Sequence, residues 1–182
     1  EERAYYSAQY YAQKKDPKLV KEYETLLKSE KYKAYASKAL GDYYFDKKDL
    51  AKSKKYYGTH VSVNKNPDEY VLYRLGQANE KENNLKMALA DYKLVYEKKG
   101  KLAEDAMLRA AEIYDRQENN VEAEKLFTKL YATKGNKDLK AYSIEKLIYY
   151  KLLNEKTKEA KKYYDELKKL DAKRAEKFKA YF

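Results

Sequence analysis

The sequence predicts an all-α chain, a solenoid of about five helix-turn-helix repeats closed by a C-terminal helix. Three observations carry this. A pattern of small and aromatic residues returns every 34 to 37 positions. Only 5 glycines and 2 prolines interrupt 182 residues, which favours helices over long loops. Within each half of a repeat, apolar residues recur at three- and four-residue spacing, as on one face of a helix.

The elements follow in order. The first unit, about residues 1–33, carries Tyr6-Ser7 and Tyr10, then Leu19 and Tyr23. The second, 34–68, carries Leu40-Gly41 and Tyr44, then Ser53 and Tyr57. The third, 69–103, has Leu75-Gly76, Ala88 and Tyr92; the fourth, 104–140, has Ala110-Ala111, Tyr114, Ala123 and Phe127; the fifth, 141–170, has Leu147, Ile148, Ala160 and Tyr164. None of these units can bury its apolar face alone, so neighbours must stack, and 1–182 reads as a single repeat domain. Two antiparallel helices approach closely only where a side chain is small. Gly41 and Ser53 are expected to mark that crossing, with Tyr44 and Tyr57 beside it. Polar breaks part the two halves of each unit at Lys47-Lys48-Asp49, Glu82-Asn83-Asn84, Glu118-Asn119-Asn120 and Asn154-Glu155-Lys156, where Asp and Asn favour helix starts. Lys134-Gly135-Asn136-Lys137-Asp138 reads as an insertion loop. Residues 171–182 read as one more helix, with Ala175, Phe178 and Phe182 on one face, which would cap the last repeat or open another.

The set Leu40-Gly41-x-x-Tyr44 with Ser53 and Tyr57, repeated in phase along nearly the whole chain, resembles the tetratricopeptide repeat, TPR. Leu19, Ile148 and Lys151 depart from the pattern, and the consensus Trp and closing Pro are missing. The resemblance implies a right-handed superhelical solenoid. The drawn-out spacing is similar to repeats of bacterial envelope proteins, such as the outer-membrane barrel-assembly lipoprotein and the Tol-associated periplasmic coordinator of division. That likeness implies a bacterial protein in the periplasm or on the envelope, with a cytoplasmic location as the alternative. The chain opens Glu1-Glu2-Arg3 without Met, as expected where an N-terminal segment, and a targeting signal with it, has been removed.

Little in the chain points to catalysis. There is one His and no Cys, which excludes disulfides and thiolate metal sites. Lone His60 on a second helix reads as a packed helix residue. The five glycines are isolated, so no phosphate loop forms. The reading is a non-enzyme with no cofactor, no metal and no small-molecule substrate. A net charge of +11 raises nucleic acid as a partner. Lys52-Ser53-Lys54-Lys55 and Lys158-Glu159-Ala160-Lys161-Lys162, however, interleave with buried second-helix positions, so a solvated outer face is the preferred reading and nucleic acid is disfavoured.

By resemblance, the inner groove is lined by first-helix positions. The candidate partner-binding residues are Tyr35, Asp42, Phe45, Asp46, Tyr70, Tyr73, Gln77, Glu80, Glu112, Asp115, Tyr142 and Tyr149. With the neighbouring positions Lys38, Lys81, Asp105, Arg116 and Glu145, seven acids face three bases, although the whole chain is basic. Tyr joins a large rigid apolar face to a polar tip and suits recognition; packing between neighbouring first helices is the plainer role for any one of them. The carboxylate clamp of some chaperone-binding members is not expected, because Asp42 stands where an Asn is needed. The expected function is a scaffold that holds a protein or peptide segment in a Tyr-rich, mildly acidic groove, with basic partner residues near Asp42, Asp46, Glu80, Glu112 and Asp115. Envelope assembly and association with a membrane-bound complex fit this reading. The alternatives are an electrostatic binder of nucleic acid or anionic envelope polymer through a basic outer face, and a regulatory repeat domain of a larger protein.

Overall fold

The chain is all-α. The computed structural model describes residues 1–134 and 136–182, and holds eleven α-helices, one 3-10 helix and no strand among them. Gly135, inside the expected insertion loop, lies outside the described residues. Two compact units form, Glu1–Leu102 and Ala103–Phe182. The first holds α1 (Glu2–Gln13), α2 (Leu19–Leu26), α3 (Lys33–Asp46), α4 (Leu50–Val63), α5 (Glu69–Lys81) and α6 (Leu85–Glu97). The second holds α7 (Ala103–Arg116), α8 (Asn120–Tyr131), α9 (Lys137–Leu153), α10 (Thr157–Leu170), α11 (Ala172–Ala175) and a 3-10 helix, Glu176–Tyr181.

The close crossing lies where the small residues place it. The Ser53 hydroxyl of α4 donates to the Gly41 carbonyl of α3 at 3.0 Å, and Ser53 is fully buried. The buried Tyr57 ring lies against Gly41, well inside the space a Cβ would need. Gly76 faces Tyr92 in the same way: a Cβ there would stand 2.8 Å from Tyr92 Cε1. Tyr44 takes a different place from the expected one. It stacks on Tyr56, with centroids 5.5 Å apart and planes 10° apart, and belongs to the cluster that α1 to α4 share.

The turns inside the pairs repeat as closely as the crossings. Lys15, Lys48, Asn83, Glu118 and Glu155 all have φ between 54° and 61°. After each, a backbone N–H reaches back to close the preceding helix: Asp49 to the Tyr44 carbonyl at 2.9 Å, Asn84 to Asn79 at 2.8 Å, Asn119 to Tyr114 at 2.9 Å. This left-handed closure satisfies the carbonyls that a helix end leaves over. Asp49 and Asn119 then cap the next helix with their side chains, whereas Asn84 holds the cap position without a side-chain bond.

Leu26, Ala36 and Leu40 centre one core cluster of the first unit. Phe45, Tyr57, Val71 and Ala78 centre another. In the second unit Ile144, Ile148, Tyr164 and Leu167 form a cluster that also takes in Ala175 and Phe178. Each such large side chain contributes about 1.5–3 kcal/mol on full burial. Two boundaries move. Lys137 and Asp138 belong to α9, because the Asn136 side chain caps it by accepting from Leu139 N at 2.9 Å. Residues 171–182 are not one continuous α-helix: four residues of α11 pass into the 3-10 turn.

Candidate functional site

In the first unit, α3 carries Tyr35, Asp42, Phe45 and Asp46, and α5 carries Tyr70, Tyr73, Gln77 and Glu80. Tyr35 leans back toward α1 and α2: its ring lies 5.3 Å from Tyr5 and 5.8 Å from Tyr23, and its hydroxyl is 3.4 Å from that of Tyr23. Asp42 accepts the Tyr57 hydroxyl at 2.6 Å. Burial pushes the Asp42 carboxyl above its ordinary range against the pull of that bond and of Lys38 and Arg74. Burial, then the Asp42 bond, likewise holds the Tyr57 hydroxyl well above its usual range, so Tyr57 remains a donor. Asp46 is exposed. With Asp42, Tyr23 and Tyr43 it lines a cavity of about 520 Å³, with Lys15 and Lys47 also in its wall.

Phe45 and Tyr70 form an aromatic floor beneath cations. The Arg74 guanidinium lies 4.5 Å from the Phe45 centroid and 5.1 Å from that of Tyr70, and its Nε donates to Tyr70 Oη at 3.0 Å. Lys81 lies 4.7 Å from Phe45, and Lys38 5.2 Å from Tyr70; Lys38 also pairs with Asp68 at 2.7 Å. Such contacts each contribute about 0.5–2 kcal/mol. Gln77 receives Arg74 Nη1 at the long distance of 3.5 Å. Tyr73 lies 5.7 Å from the buried Tyr92 ring, and Glu80 accepts the Tyr92 hydroxyl at 2.8 Å.

In the second unit, α7 carries Glu112 and Asp115, and α9 carries Tyr142 and Tyr149. Asp115 accepts from Lys146 Nζ at 2.5 Å and from the Tyr150 hydroxyl. Burial works most strongly against the Lys146 charge, but the Asp115 bond together with the nearby Tyr142, Asp115 and Glu112 outweighs it and holds the Lys146 pKa above its ordinary value. Tyr142 is half-buried and Glu112 partly so, whereas Tyr149 is exposed. Asp115, Tyr142 and Tyr149 meet in one cavity of about 640 Å³, together with Glu145, Lys177 and Phe178. Glu112 is not among the residues of that wall.

One motif runs through these faces. A tyrosine hydroxyl donates to a first-helix carboxylate: Tyr57 to Asp42, Tyr92 to Glu80, Tyr150 to Asp115. The acids counted from sequence therefore spend lone pairs inside the chain, and less of their charge is left for a partner than the count implies. Arg74, Lys146, Lys177 and Phe178 are the residues that sequence reasoning missed. Arg74 and Lys146 each stand four residues after a nominated tyrosine, Tyr70 and Tyr142, and so share its face; that spacing was the available signal. His60 is buried, with Nδ1 2.8 Å from the Ala34 carbonyl and Nε2 without a hydrogen-bond partner.

Among the described residues no group of three His, Cys, Asp or Glu is placed to hold a metal ion, and no helix is long and apolar enough to cross a membrane. No family model matches the sequence, and no curated protein matches it. Solved structures do. The chain is similar to MamA, with a TM-score of 0.67 at 17% identity, covering 92% of this chain and 96% of that one. It is also similar to the nearly identical TPR-like repeats of a Podosopora anserina kinesin light chain, with a TM-score of 0.59 at 14% identity, covering 94% of each. At these identities the likeness is one of fold, and the fold is that of TPR-like repeats.

Proposed function

We propose that the chain is a non-enzymatic scaffold that holds a protein segment against the tyrosine-bearing first helices. The observation that carries this is the cavity in the second unit. Asp115, Tyr142 and Tyr149, nominated from the resemblance to the repeat family, line one concavity of about 640 Å³, within the size range of ligand sites. Its walls pair aromatic faces with carboxylates and ammonium groups, which suits a peptide better than an apolar small molecule. Kinship of fold with TPR-like repeats supports the same reading, and an envelope or periplasmic role, with a membrane-bound complex as partner, rests on the resemblance in repeat spacing. The partner-binding residues are the first-helix positions that the resemblance implies, with Tyr70, Tyr73, Tyr142 and Tyr149 as the aromatic anchors.

The test is selection of random linear peptides by display on the full chain. Recovered peptides should bind the wild type and lose at least about 2 kcal/mol on a Tyr142→Ala/Tyr149→Ala or a Tyr70→Ala/Tyr73→Ala chain, the magnitude of an interface hot spot. Failure to enrich any peptide would overturn the scaffold reading. The net charge of +11 favours one second reading, an electrostatic binder of anionic polymer. Its mark would be affinity for heparin or DNA that falls steeply with salt and vanishes when Lys54 and Lys161 are reversed in charge.

A further inference from the structure

The wall of the second unit's cavity is built partly from the chain's own C-terminal segment. Glu145, on α9, is only 9% exposed. A buried carboxylate must be paired or it loses its charge. Here the pairing comes from residues 171–182: Lys177 Nζ lies 2.9 Å from Glu145 Oε1, and Arg174 Nη1 lies 3.8 Å from Oε2. Next to Lys177, Phe178 is 9% exposed and packs into the cluster of Ile144 and Ile148. Tyr142 and Tyr149 continue the same cavity beyond Lys177 and Phe178. A basic residue on a buried acid, followed by an aromatic residue in an apolar socket, is how a bound segment would be held.

From this we infer that the α9 face of the second unit recognises a segment in which a basic residue precedes an aromatic one, and that residues 171–182 are its resident ligand, displaced when a partner of the same chemistry arrives. This rests on the scaffold reading above. The grip of the resident segment is partial. Its six-residue 3-10 run, Glu176–Tyr181, exceeds the three or four residues at which such helices usually stop, and its hydrogen bonds are poorer than those of an α-helix. The Lys177 side chain is 56% exposed, so water can compete for its ammonium. Charge complementarity sets the partner's sign: with Lys177 withdrawn, Asp115, Glu118 and Glu145 face only Arg116 and Lys146 across the cavity. A site filled in this way lowers a partner's apparent affinity by the fraction of time it is open.

The probe is a labelled synthetic peptide with the sequence of residues 171–182, titrated in trans onto the full chain. Lys177→Glu with Phe178→Ala weakens the resident segment, and this double variant should bind the peptide at least about tenfold more tightly than the wild type does, since the competing occupant is gone. A peptide carrying the same two changes should not bind, and adding Glu145→Lys to the double variant should abolish binding of the unmodified peptide. In the wild type, hydrogen exchange should show the amides of 171–182 opening ahead of those of α9 and α10. Equal protection of all three segments, or peptide binding indifferent to Glu145→Lys, would overturn the inference and make the segment a fixed cap. Should the double variant not fold, the exchange measurement on the wild type decides alone. Display peptides that bind but ignore Glu145→Lys would refute this inference and leave the scaffold reading standing; a display that enriches nothing would refute the scaffold while the trans titration still reports on the resident segment.

Discussion

At the scale of single residues, two kinds of position, a crowded glycine and a buried acid, translate directly into measurable stability. Gly41 is required by a close approach: the Tyr57 ring occupies the place of its Cβ, and that ring is fully buried and cannot swing away. Gly41→Ala should therefore destabilise the fold by about 1–3 kcal/mol through overpacking, despite Ala's better helix propensity. Gly76→Ala meets the Tyr92 ring less severely and should cost less; chemical denaturation of the two variants checks the order. Asp91 is of the second kind. It is 7% exposed, and it accepts a hydrogen bond from Asn79 Nδ2 at 2.8 Å. Burial raises its pKa from 3.8 to about 6. An acid raised in the folded state stays protonated there while the unfolded chain ionises. Its stabilising contribution is thus present below the ordinary pKa, declines as pH rises from about 4 to about 6, and is gone above that. Asp91→Asn keeps the bond to Asn79 and removes the charge. It should raise stability at pH 7 by on the order of 1–2 kcal/mol, and should do little at pH 4, as thermal unfolding at the two pH values would show.

Between the helices, the same left-handed turn is made five times without a glycine. Lys48, Asn83 and Glu118 sit at φ of 61°, 60° and 56°, where a Cβ crowds the following carbonyl. Glycine is the usual occupant of this position. Lys48→Gly and Glu118→Gly should consequently stabilise the chain, by up to about 1 kcal/mol each. A drop in melting temperature would mean that these side chains contribute more than their exposure on the helix ends indicates. His60 belongs to the same scale, since it ties α4 to α3 through the Ala34 carbonyl. His60→Ala should weaken that pairing by about 1–3 kcal/mol and leave peptide binding by the folded chain unchanged.

For the molecule as a whole, the balance of charge and tyrosine decides how it would be used. The chain carries +11 and 23 tyrosines, and several lysines serve a tyrosine ring and a carboxylate at once: Lys38 lies over Tyr70 and pairs with Asp68, Lys52 over Tyr44 with Asp49, and Lys161 over Tyr164 with Asp165. An aromatic groove and a basic surface answer salt differently. Peptide affinity of the scaffold should fall only a few-fold between low and physiological salt, whereas phosphate contacts lose about a thousandfold or more over the same range. Loss of binding on charge reversal of Lys54 and Lys161, with Tyr142→Ala/Tyr149→Ala silent, would transfer the function to the basic surface.

The repeat itself was legible without coordinates. Small residues twelve positions apart and an aromatic four later can recur in phase only if helix pairs recur, because close crossings require missing side chains; so Gly41, Ser53 and Tyr57 were readable as one contact, and eleven helices followed. Their spacing of seven puts Tyr142 and Tyr149 on one face of α9, and the resemblance to the repeat family named Asp115 on α7 beside them. What spacing does not carry is which neighbour a polar group bonds to. That Asp42, Glu80 and Asp115 accept tyrosine hydroxyls, that Arg74 lies over Phe45, and that Lys177 reaches Glu145 are all contacts between residues 12 to 35 positions apart. Tyr44 shows the same limit, since a ring three residues from a glycine can turn to either side and only the packing of α3 against α4 chose Tyr56. Periodicity is local and survives in the sequence; the partner of a buried charge is set by the helix that packs over it, and only the tertiary structure decides that.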